Sequence, residues 1–181
     1  MKILSFDCAN RSLAVCCVNL QEKIKLNMIK VIDVTKQDKV DTIQRTHLLK
    51  QCLVNIDKEI GDVKPDIVLV EYQMSANDKS RCVSNQIVYH YSCLEGTNVH
   101  LVGPTLKNKV CLSDDDSLKH STFMSKYSSK YTANKNHSKA NFLHWIDSNN
   151  NRNYIKEIKK KNLDDAADAF MQILGWLEFK R

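Results

Sequence analysis

The sequence is poor in residues that interrupt regular structure, with only 4 glycines and 2 prolines among its 181 residues. Long flexible linkers are rich in these residues or in other small polar ones, so their scarcity favours one domain spanning residues 1–181. A chain of that length can bury a substantial core. No apolar run approaches the roughly 20 residues that a membrane-spanning helix needs. We therefore expect a globular domain with no membrane partner.

Zinc-binding and disulfide patterns are also missing. The seven cysteines are odd in number, no two of them have Cys-x-x-Cys spacing, and most lie in apolar runs such as Val15-Cys16-Cys17-Val18. No Cys/His group has the spacing of zinc ligands. An acidic residue, Asp7, follows too soon after the N-terminus for a signal peptide. These features favour reduced, buried thiols in an intracellular protein.

Positive charge is abundant but concentrated in one segment. Residues 119–161 contain ten Lys or Arg and two acids, a local charge of +8, so the rest of the chain carries −2 of the total +6. A basic segment beside a mildly acidic remainder favours a polyanionic partner such as nucleic acid. A solvated basic helical face explains the same pattern, so charge alone leaves both interpretations open.

Apolar periodicity predicts elements in the order βββαβαβα…α. The run Ile67-Val68-Leu69-Val70 has no polar alternation, which is typical of a parallel strand covered on both faces. Three strands followed by alternating helices and strands predict an α/β fold, a five-stranded mixed sheet with helices on both faces. The predicted strands are 2–7, 12–19, 25–34, 67–70 and 99–102. The predicted helices are 42–60, 80–95, 163–179 and two weaker ones near 117–131 and 139–146.

Two predicted strands end on carboxylates, Asp7 and Glu71. A buried acid is costly unless it is paired, hydrogen-bonded or bound to metal, and neither strand offers an obvious basic partner. If both strands lie centrally in one sheet, both carboxylates leave it near each other. A metal ion would satisfy both.

The last predicted helix adds Asp164, Asp165 and Asp168 near its N-terminus. Spacing alone allows either Asp164 or Asp165 to share a face with Asp168. Acids in a first turn also stabilise a helix through its dipole, which explains Asp168, a full turn inside, less well. Oxygen ligands without His or Cys favour Mg²⁺ or Mn²⁺, and two such ions about 4 Å apart can hydrolyse a phosphodiester.

Three short motifs resemble those of RuvC-type Holliday junction resolvases, and the sequence as a whole is most similar to their poxvirus branch. They are Ile3-Leu4-Ser5-Phe6-Asp7-Cys8-Ala9, Val68-Leu69-Val70-Glu71 and Asp165-Ala166-Ala167-Asp168-Ala169. The resemblance implies an RNase H-like fold and selects Asp165 over Asp164. It implies that Asp7, Glu71, Asp165 and Asp168 bind two Mg²⁺ or Mn²⁺ ions and are catalytic.

The same resemblance implies a homodimer that grips a four-way DNA junction and cuts it by paired symmetric nicks, with no small-molecule substrate. In a virus this activity would resolve replication intermediates and concatemers in the host cytoplasm. The helix at residues 80–95 would form much of the dimer contact. Because its apolar stripe is expected to be core, neighbours such as Val88 and Tyr89 are the candidate contact residues.

The resemblance also implies a catalytic basic residue near the active site, and Lys107 aligns with it best, with Lys109 close by. A solvated helix residue is the alternative interpretation of either lysine. The candidate DNA-binding residues are Lys107, Lys109, Lys130, Lys135 and Lys139. Two tyrosines in the basic segment, Tyr127 and Tyr131, could stack on unpaired bases, although their helical spacing favours packing.

Other functions remain open from the sequence. An RNase H-type or flap nuclease would keep the fold and the acids but change the substrate. A non-catalytic DNA-binding module explains the basic segment but not the acids, because acids repel phosphate unless metal bridges them. A sugar kinase or actin-like ATPase lobe needs glycine-rich phosphate loops, which 4 glycines do not supply.

Overall fold

The computed structural model describes residues 1–9, 11–35, 41–73, 77–112 and 115–179. Asn10, in the turn predicted after the first strand, lies outside the described residues. Within them the architecture is the predicted α/β arrangement, a five-stranded sheet with helices packed on both faces.

The sheet has the strand order β3-β2-β1-β4-β5. Its first three strands form an antiparallel meander, and β4 and β5 extend it in parallel on the other side of β1. The central strands β1 and β4 are almost wholly buried, as their apolar runs predict. The strands are β1 (Lys2–Cys8), β2 (Ser12–Leu20), β3 (Ile24–Asp33), β4 (Ile67–Glu71) and β5 (Asn98–Val102).

Five α-helices complete the fold, and three of them match the predicted helices closely. The first, α1, is capped at its N-terminus by Asp41 and ends before Gly61. The φ of Gly61 is 84°, the positive value expected of a glycine that follows the end of a helix. The second is capped by Asn77 but ends at Ser92 rather than at residue 95. The α-helices are α1 (Thr42–Ile60), α2 (Asp78–Ser92), α3 (His120–Lys126), α4 (Lys130–Ser148) and α5 (Leu163–Phe179).

The structure has two helices in the region where two were predicted, but the predicted bounds, near 117–131 and 139–146, were wrong. The first is the short α3, which ends at the extended residue Tyr127, and the second is α4, a continuous helix of 19 residues that begins after its cap, Ser129. Polar side chains explain the error, because the buried face of α4 includes His137, Ser138 and Asn141. A hydrophobic stripe could not reveal a face built from such residues.

The period of two along β1 decides which helices its residues meet. Ile3 packs into the cluster that contains residues of α4 and α5, whereas Leu4 and Phe6 pack into the cluster that contains residues of α1 and α2. In β4, Leu69 belongs to the first cluster and Val70 to the second. The alternation therefore places Asp7 and Glu71 on the α5 face of the sheet.

Gly175 allows α5 to lie unusually close to the segment that follows β5. A Cβ atom at this position would lie 2.9 Å from the backbone oxygen of Leu106. Leu106 opens a short 3-10 helix, Leu106–Lys109, which therefore rests against α5. This contact fixes the position of Lys107.

Two further expectations have mixed outcomes. Cys8, Cys16 and Cys17 are buried as expected, but Cys82, Cys93 and Cys111 are exposed. Among the described residues, no helix is both long and apolar enough to span a membrane.

Candidate active site

Strands β1 and β4 bring the first two acids together. Their register pairs Phe6 with Val70, and the next residues are Asp7 and Glu71. Both side chains lie at the carboxyl ends of parallel neighbours and point to the same face. Asp7 is partly buried and Glu71 is buried, so the two carboxylates form one acidic group beneath α5.

The N-terminal half of α5 supplies the remaining acids. Asp168 is 2% exposed, and its Oδ1 atom has no hydrogen-bond partner among the described residues. Asp165 accepts a hydrogen bond of 3.2 Å from the hydroxyl of Ser12, which begins β2. Asp165 and Asp168 line the same pocket as Asp7 and Glu71, whereas Asp164 does not line it. Asp165, and not Asp164, therefore shares this pocket with the other three acids.

Lys107 lies within the acidic group rather than on a solvated surface. Its ammonium nitrogen is 2.8 Å from Oδ2 of Asp168 and 3.1 Å from Oε2 of Glu71, and the residue is 7% exposed. Burial alone would lower the pKa of Lys107, but the carboxylates of Asp7, Asp168 and Glu71 outweigh it and raise the pKa above its ordinary value. Lys107 therefore stays charged and bridges α5 to β4.

Lys135, on α4, is a second ammonium group in the site. Its Nζ atom lies 2.9 Å from Oδ2 of Asp168, 3.0 Å from Oδ1 of Asp165 and 3.7 Å from Oδ2 of Asp164. Burial opposes the charge, yet the surrounding carboxylates raise its pKa above the ordinary value. The sequence suggested Lys135 only as a phosphate contact, whereas in the structure it pairs with the acids themselves.

The pKa of Asp7 reflects this crowding. Burial raises the pKa of Asp7 well above its ordinary value, Lys107 opposes the rise, and the carboxylates of Glu71 and Asp168 add to it. Like charges at close range disfavour the ionised form, and cations restore it. An added positive charge would therefore stabilise the ionised form of Asp7 in this site.

Gln172 and Ser5 complete the floor of the site, and the sequence analysis missed both. The amide nitrogen of Gln172 donates to Oε2 of Glu71 at 2.9 Å, and its oxygen accepts from Ser5 at 3.2 Å. Gln172 is fully buried. One signal could have found it: it lies four residues after Asp168, on the same face of α5.

The acids open into a pocket of about 330 Å³. On one side its rim is formed by Tyr131, Asn134 and Lys135 from α4. Tyr131 is 70% exposed, so the expectation that it packs against the helix was wrong. A larger groove of about 870 Å³ runs along β3, but none of the four acids lines it.

The donor chemistry of the site fits a divalent cation. Four carboxyl groups surround only two ammonium groups, so the acids outnumber their cationic partners in the site. The buried Oδ1 of Asp168 is a free oxygen donor of the kind that Mg²⁺ prefers. Among the described residues, however, no three acid, His or Cys side chains are already arranged as a metal site. In this structure the ammonium groups of Lys107 and Lys135 pair with the carboxylates.

The other candidate DNA-binding lysines lie away from the acids. Lys109 is exposed, and its Nζ atom lies 5.7 Å from the centre of the Phe179 ring. Lys130 is exposed at the start of α4, and Lys139 is partly buried one turn beyond Lys135. None of the three lines the acidic pocket.

Comparison with protein families identifies the lineage of this arrangement. Residues 1–179 match the family model described as poxvirus A22 protein. The chain belongs to the poxvirus A22 protein family. Its acidic site, drawn from β1, β4 and α5, is therefore a feature of a poxvirus A22 family member. A comparison with curated protein sequences gave no significant match.

Solved structures with the same fold include two proteins named as Holliday junction resolvases and a RuvC protein. The fowlpox virus Holliday junction resolvase is 20% identical, with each chain fully covered and a TM-score of 0.65. Thermus thermophilus RuvC is 11% identical, with 99% of this chain and 97% of that chain covered and a TM-score of 0.61. A yeast mitochondrial Holliday junction resolvase is 15% identical, with 97% and 78% covered and a TM-score of 0.63. At these identities the likeness establishes the RNase H-like resolvase fold.

Proposed function

We propose that this protein is a divalent-metal-dependent endonuclease that resolves four-way DNA junctions by paired symmetric nicks. The observation that carries the proposal is the convergence of Asp7, Glu71, Asp165 and Asp168 from two strands and a distant helix into one pocket. Clustering four acids is costly for a fold unless cations or hydrogen bonds stabilise them, and such clusters are typical of functional sites.

Relatives support the choice of substrate. The fowlpox virus resolvase, 20% identical over 98% of this chain with a TM-score of 0.66, has been solved with its substrate Holliday junction DNA. Thermus thermophilus RuvC, 11% identical over 98% of this chain with a TM-score of 0.59, has also been solved with a Holliday junction substrate. The family membership makes viral DNA, in the host cytoplasm, the expected source of such junctions.

The four acids would hold Mg²⁺ or Mn²⁺, with two ions as the expected number. Such ions activate water for attack on the phosphodiester and stabilise the departing oxygen. Asp7 and Glu71 would be fixed by the sheet, and Asp165 and Asp168 by α5. Gln172 orients Glu71 through its amide donor, and Ser12 orients Asp165 through its hydroxyl.

The lysines have a separate part in this proposal. Lys107 is buried and charged, so it neutralises Glu71 and Asp168 and holds α5 at a fixed distance from β4. Lys135 is 18% exposed at its side chain and lies at the pocket edge, where a scissile phosphate would enter. A phosphate that draws Lys135 toward itself would free Asp165 and Asp168 for metal.

Paired nicking requires two sites, and a two-fold dimer presents two identical sites to a nearly symmetric junction. The outer face of α2 is the candidate contact. Val83, Ile87 and Tyr91 of its inner stripe are buried in the core, as predicted, whereas Val88 is partly exposed and Tyr89 is 74% exposed. A stable contact should bury at least about 1,200 Å² in total.

A nicking assay tests the proposal directly. Purified protein is incubated with a labelled four-way junction, a flap and an RNA–DNA hybrid of the same sequence, with Mg²⁺ or with EDTA. We expect Mg²⁺-dependent paired nicks in the junction and much slower cleavage of the other two. Preferred cleavage of the hybrid or the flap would instead indicate an RNase H-type or flap nuclease. Tight binding without cleavage under any divalent ion would indicate a DNA-binding module.

A further inference from the structure

The first turns of α4 present three chemically different side chains to the acidic pocket. Tyr131, Asn134 and Lys135 all line it. Their spacing, i, i+3 and i+4, places them on one face of the helix. An aromatic ring, an amide and an ammonium group thus border the place where a phosphodiester would meet the acids.

Tyr131 differs from the other aromatic residues of this region. Phe123 stacks on Tyr127 with ring centres 6.4 Å apart, and Phe142 and Trp145 pack against Phe170. The Tyr131 side chain is 70% exposed. A single exposed aromatic residue is ordinary on a protein surface, so its exposure alone means little. Its position on the pocket rim is what gives the ring a possible ligand.

Asn134 is held in a fixed orientation. Nε2 of His120, at the start of α3, lies 2.8 Å from Oδ1 of Asn134. Since an amide oxygen only accepts hydrogen bonds, His120 is the donor, and the NH₂ group of Asn134 remains available as a donor on the pocket side. His120 is therefore a positioning residue for Asn134.

We infer that this face of α4 binds an unpaired nucleotide beside the scissile phosphate, with Tyr131 stacking on its base and Asn134 donating a hydrogen bond to it. The inference rests on the proposed function and makes Tyr131 a specificity-determining residue. A base offers its flat face to a protein ring only after it leaves the helical stack, and that costs least where pairing is already broken. The branch point of a junction is such a place.

Two measurements on wild type, Tyr131→Phe and Tyr131→Leu test the stacking. The first is single-turnover nicking of four-way junctions whose nucleotides next to the cut are varied. The second is the fluorescence of 2-aminopurine placed at those nucleotides in bound junctions in EDTA. Tyr154→Leu is the matched control, because Tyr154 is also exposed but lines the separate groove along β3. Thermal unfolding of each variant checks that the fold is intact.

Stacking predicts that Tyr131→Leu lowers kcat/KM on junctions about 10-fold and narrows the spread of rates among the varied sequences, since a stacked base contributes about 1–3 kcal/mol. Tyr131→Phe should keep the wild-type kcat/KM and the wild-type spread of rates, because its ring still stacks. Junction affinity should fall by no more than about the same factor, and binding should persist, because the phosphate contacts remain. 2-Aminopurine should be quenched by wild type and Tyr131→Phe and bright with Tyr131→Leu. Asn134→Ala should share the rate defect.

Two results would overturn the inference. One is a Tyr131→Leu variant that nicks the junction panel like wild type and quenches 2-aminopurine equally. The other is an equal loss of rate in Tyr131→Phe and Tyr131→Leu, which would assign the effect to the hydroxyl group instead of the ring. If wild type bound but did not nick junctions, the proposed function would fail, while the fluorescence measurement would still decide the role of Tyr131.

Discussion

The ammonium nitrogen of Lys107 lies 2.8 Å from Oδ2 of Asp168, deep between the last helix and the central strands. Removing one partner of a buried ion pair costs about 3–5 kcal/mol, because the other charge is left unpaired. Lys107→Met should therefore lower the free energy of unfolding by about 3 kcal/mol in EDTA. Mg²⁺ should restore more stability to this variant than to wild type, since the acids then bind the cation without competition.

Lys109→Met is the control for that experiment, because Lys109 is exposed and two residues away. Urea unfolding with and without Mg²⁺ measures both variants. Equal losses in the two variants, or the same Mg²⁺ effect in Lys107→Met and wild type, would contradict the assigned role of Lys107.

The acidic residues should separate chemistry from binding. Asp7→Asn, Glu71→Gln, Asp165→Asn and Asp168→Asn should each reduce junction nicking by at least about 100-fold while junction binding persists, because phosphate contacts hold the DNA. Asp164→Asn should retain most activity, since its carboxylate does not line the pocket. Nicking rates and gel-shift affinities measure the two effects. An inactive Asp164→Asn beside an active Asp165→Asn would reverse the assignment.

Gly175→Ala should destabilise the protein even though alanine is the better helix former by about 1 kcal/mol. The new Cβ would lie 2.9 Å from the backbone oxygen of Leu106, which cannot move aside as a flexible side chain does. Overpacking of this kind costs about 1–3 kcal/mol. Gly103→Ala is the control, because a Cβ there has open space. A higher melting temperature for Gly175→Ala than for wild type would refute the close contact.

Tyr89→Glu should separate the dimer without unfolding the subunit. The Tyr89 side chain is 74% exposed in the single chain, so a charge there is tolerated by the monomer but not within a contact. Ile43→Glu, 71% exposed on α1, is the matched control. Sedimentation measures mass, and junction cleavage measures pairing of the nicks. We expect Tyr89→Glu to nick one strand and to lose paired cleavage, whereas a dimeric Tyr89→Glu would place the contact elsewhere.

His137 should make stability depend on pH. Burial, with a contribution from His120, lowers the pKa of His137 to about 4, although the nearby Leu118 carbonyl opposes this. In the unfolded chain the pKa of this histidine is about 6.5. Between pH 4 and 6.5 the unfolded chain therefore binds more protons than the folded chain, so stability rises with pH across this window. The loss at pH 4 is at most about 3 kcal/mol. His137→Phe should flatten the pH dependence, and an unchanged profile would exclude His137 as its source.

Much of the fold follows from local patterns in the sequence. The unbroken apolar run of β4 predicted a strand covered on both faces, and apolar periodicity predicted the limits of α1. The carboxylates at the strand ends and in α5 predicted a group of acids, and in the structure all four line one pocket. These signals come from residues close together in the sequence, so one amino-acid sequence is enough to detect them.

The contacts of the two lysines in the site could not be predicted from local patterns in the sequence. Asp7 and Glu71 have no obvious basic partner within their own strands, and a local sequence pattern shows only neighbours along the chain. Lys107 reaches Glu71 across 36 residues, and Lys135 reaches Asp165 across 30. Both contacts depend on tertiary packing, and for Lys135 also on α4, whose polar buried face hides it from a hydrophobic pattern. Lys135 was therefore assigned only to DNA, and Lys107 was placed near the acids only through the family resemblance.

The acids come from opposite ends of the described chain, and this has a consequence during synthesis. Asp7 is made early, whereas Asp165 and Asp168 arrive with α5, which also covers β1 and β2. A nascent chain without α5 keeps one face of its sheet uncovered and holds only half of its carboxylates. Premature termination would therefore yield an aggregation-prone product without the complete acidic pocket. The order of the elements thus delays the proposed nuclease activity until α5 has been synthesised.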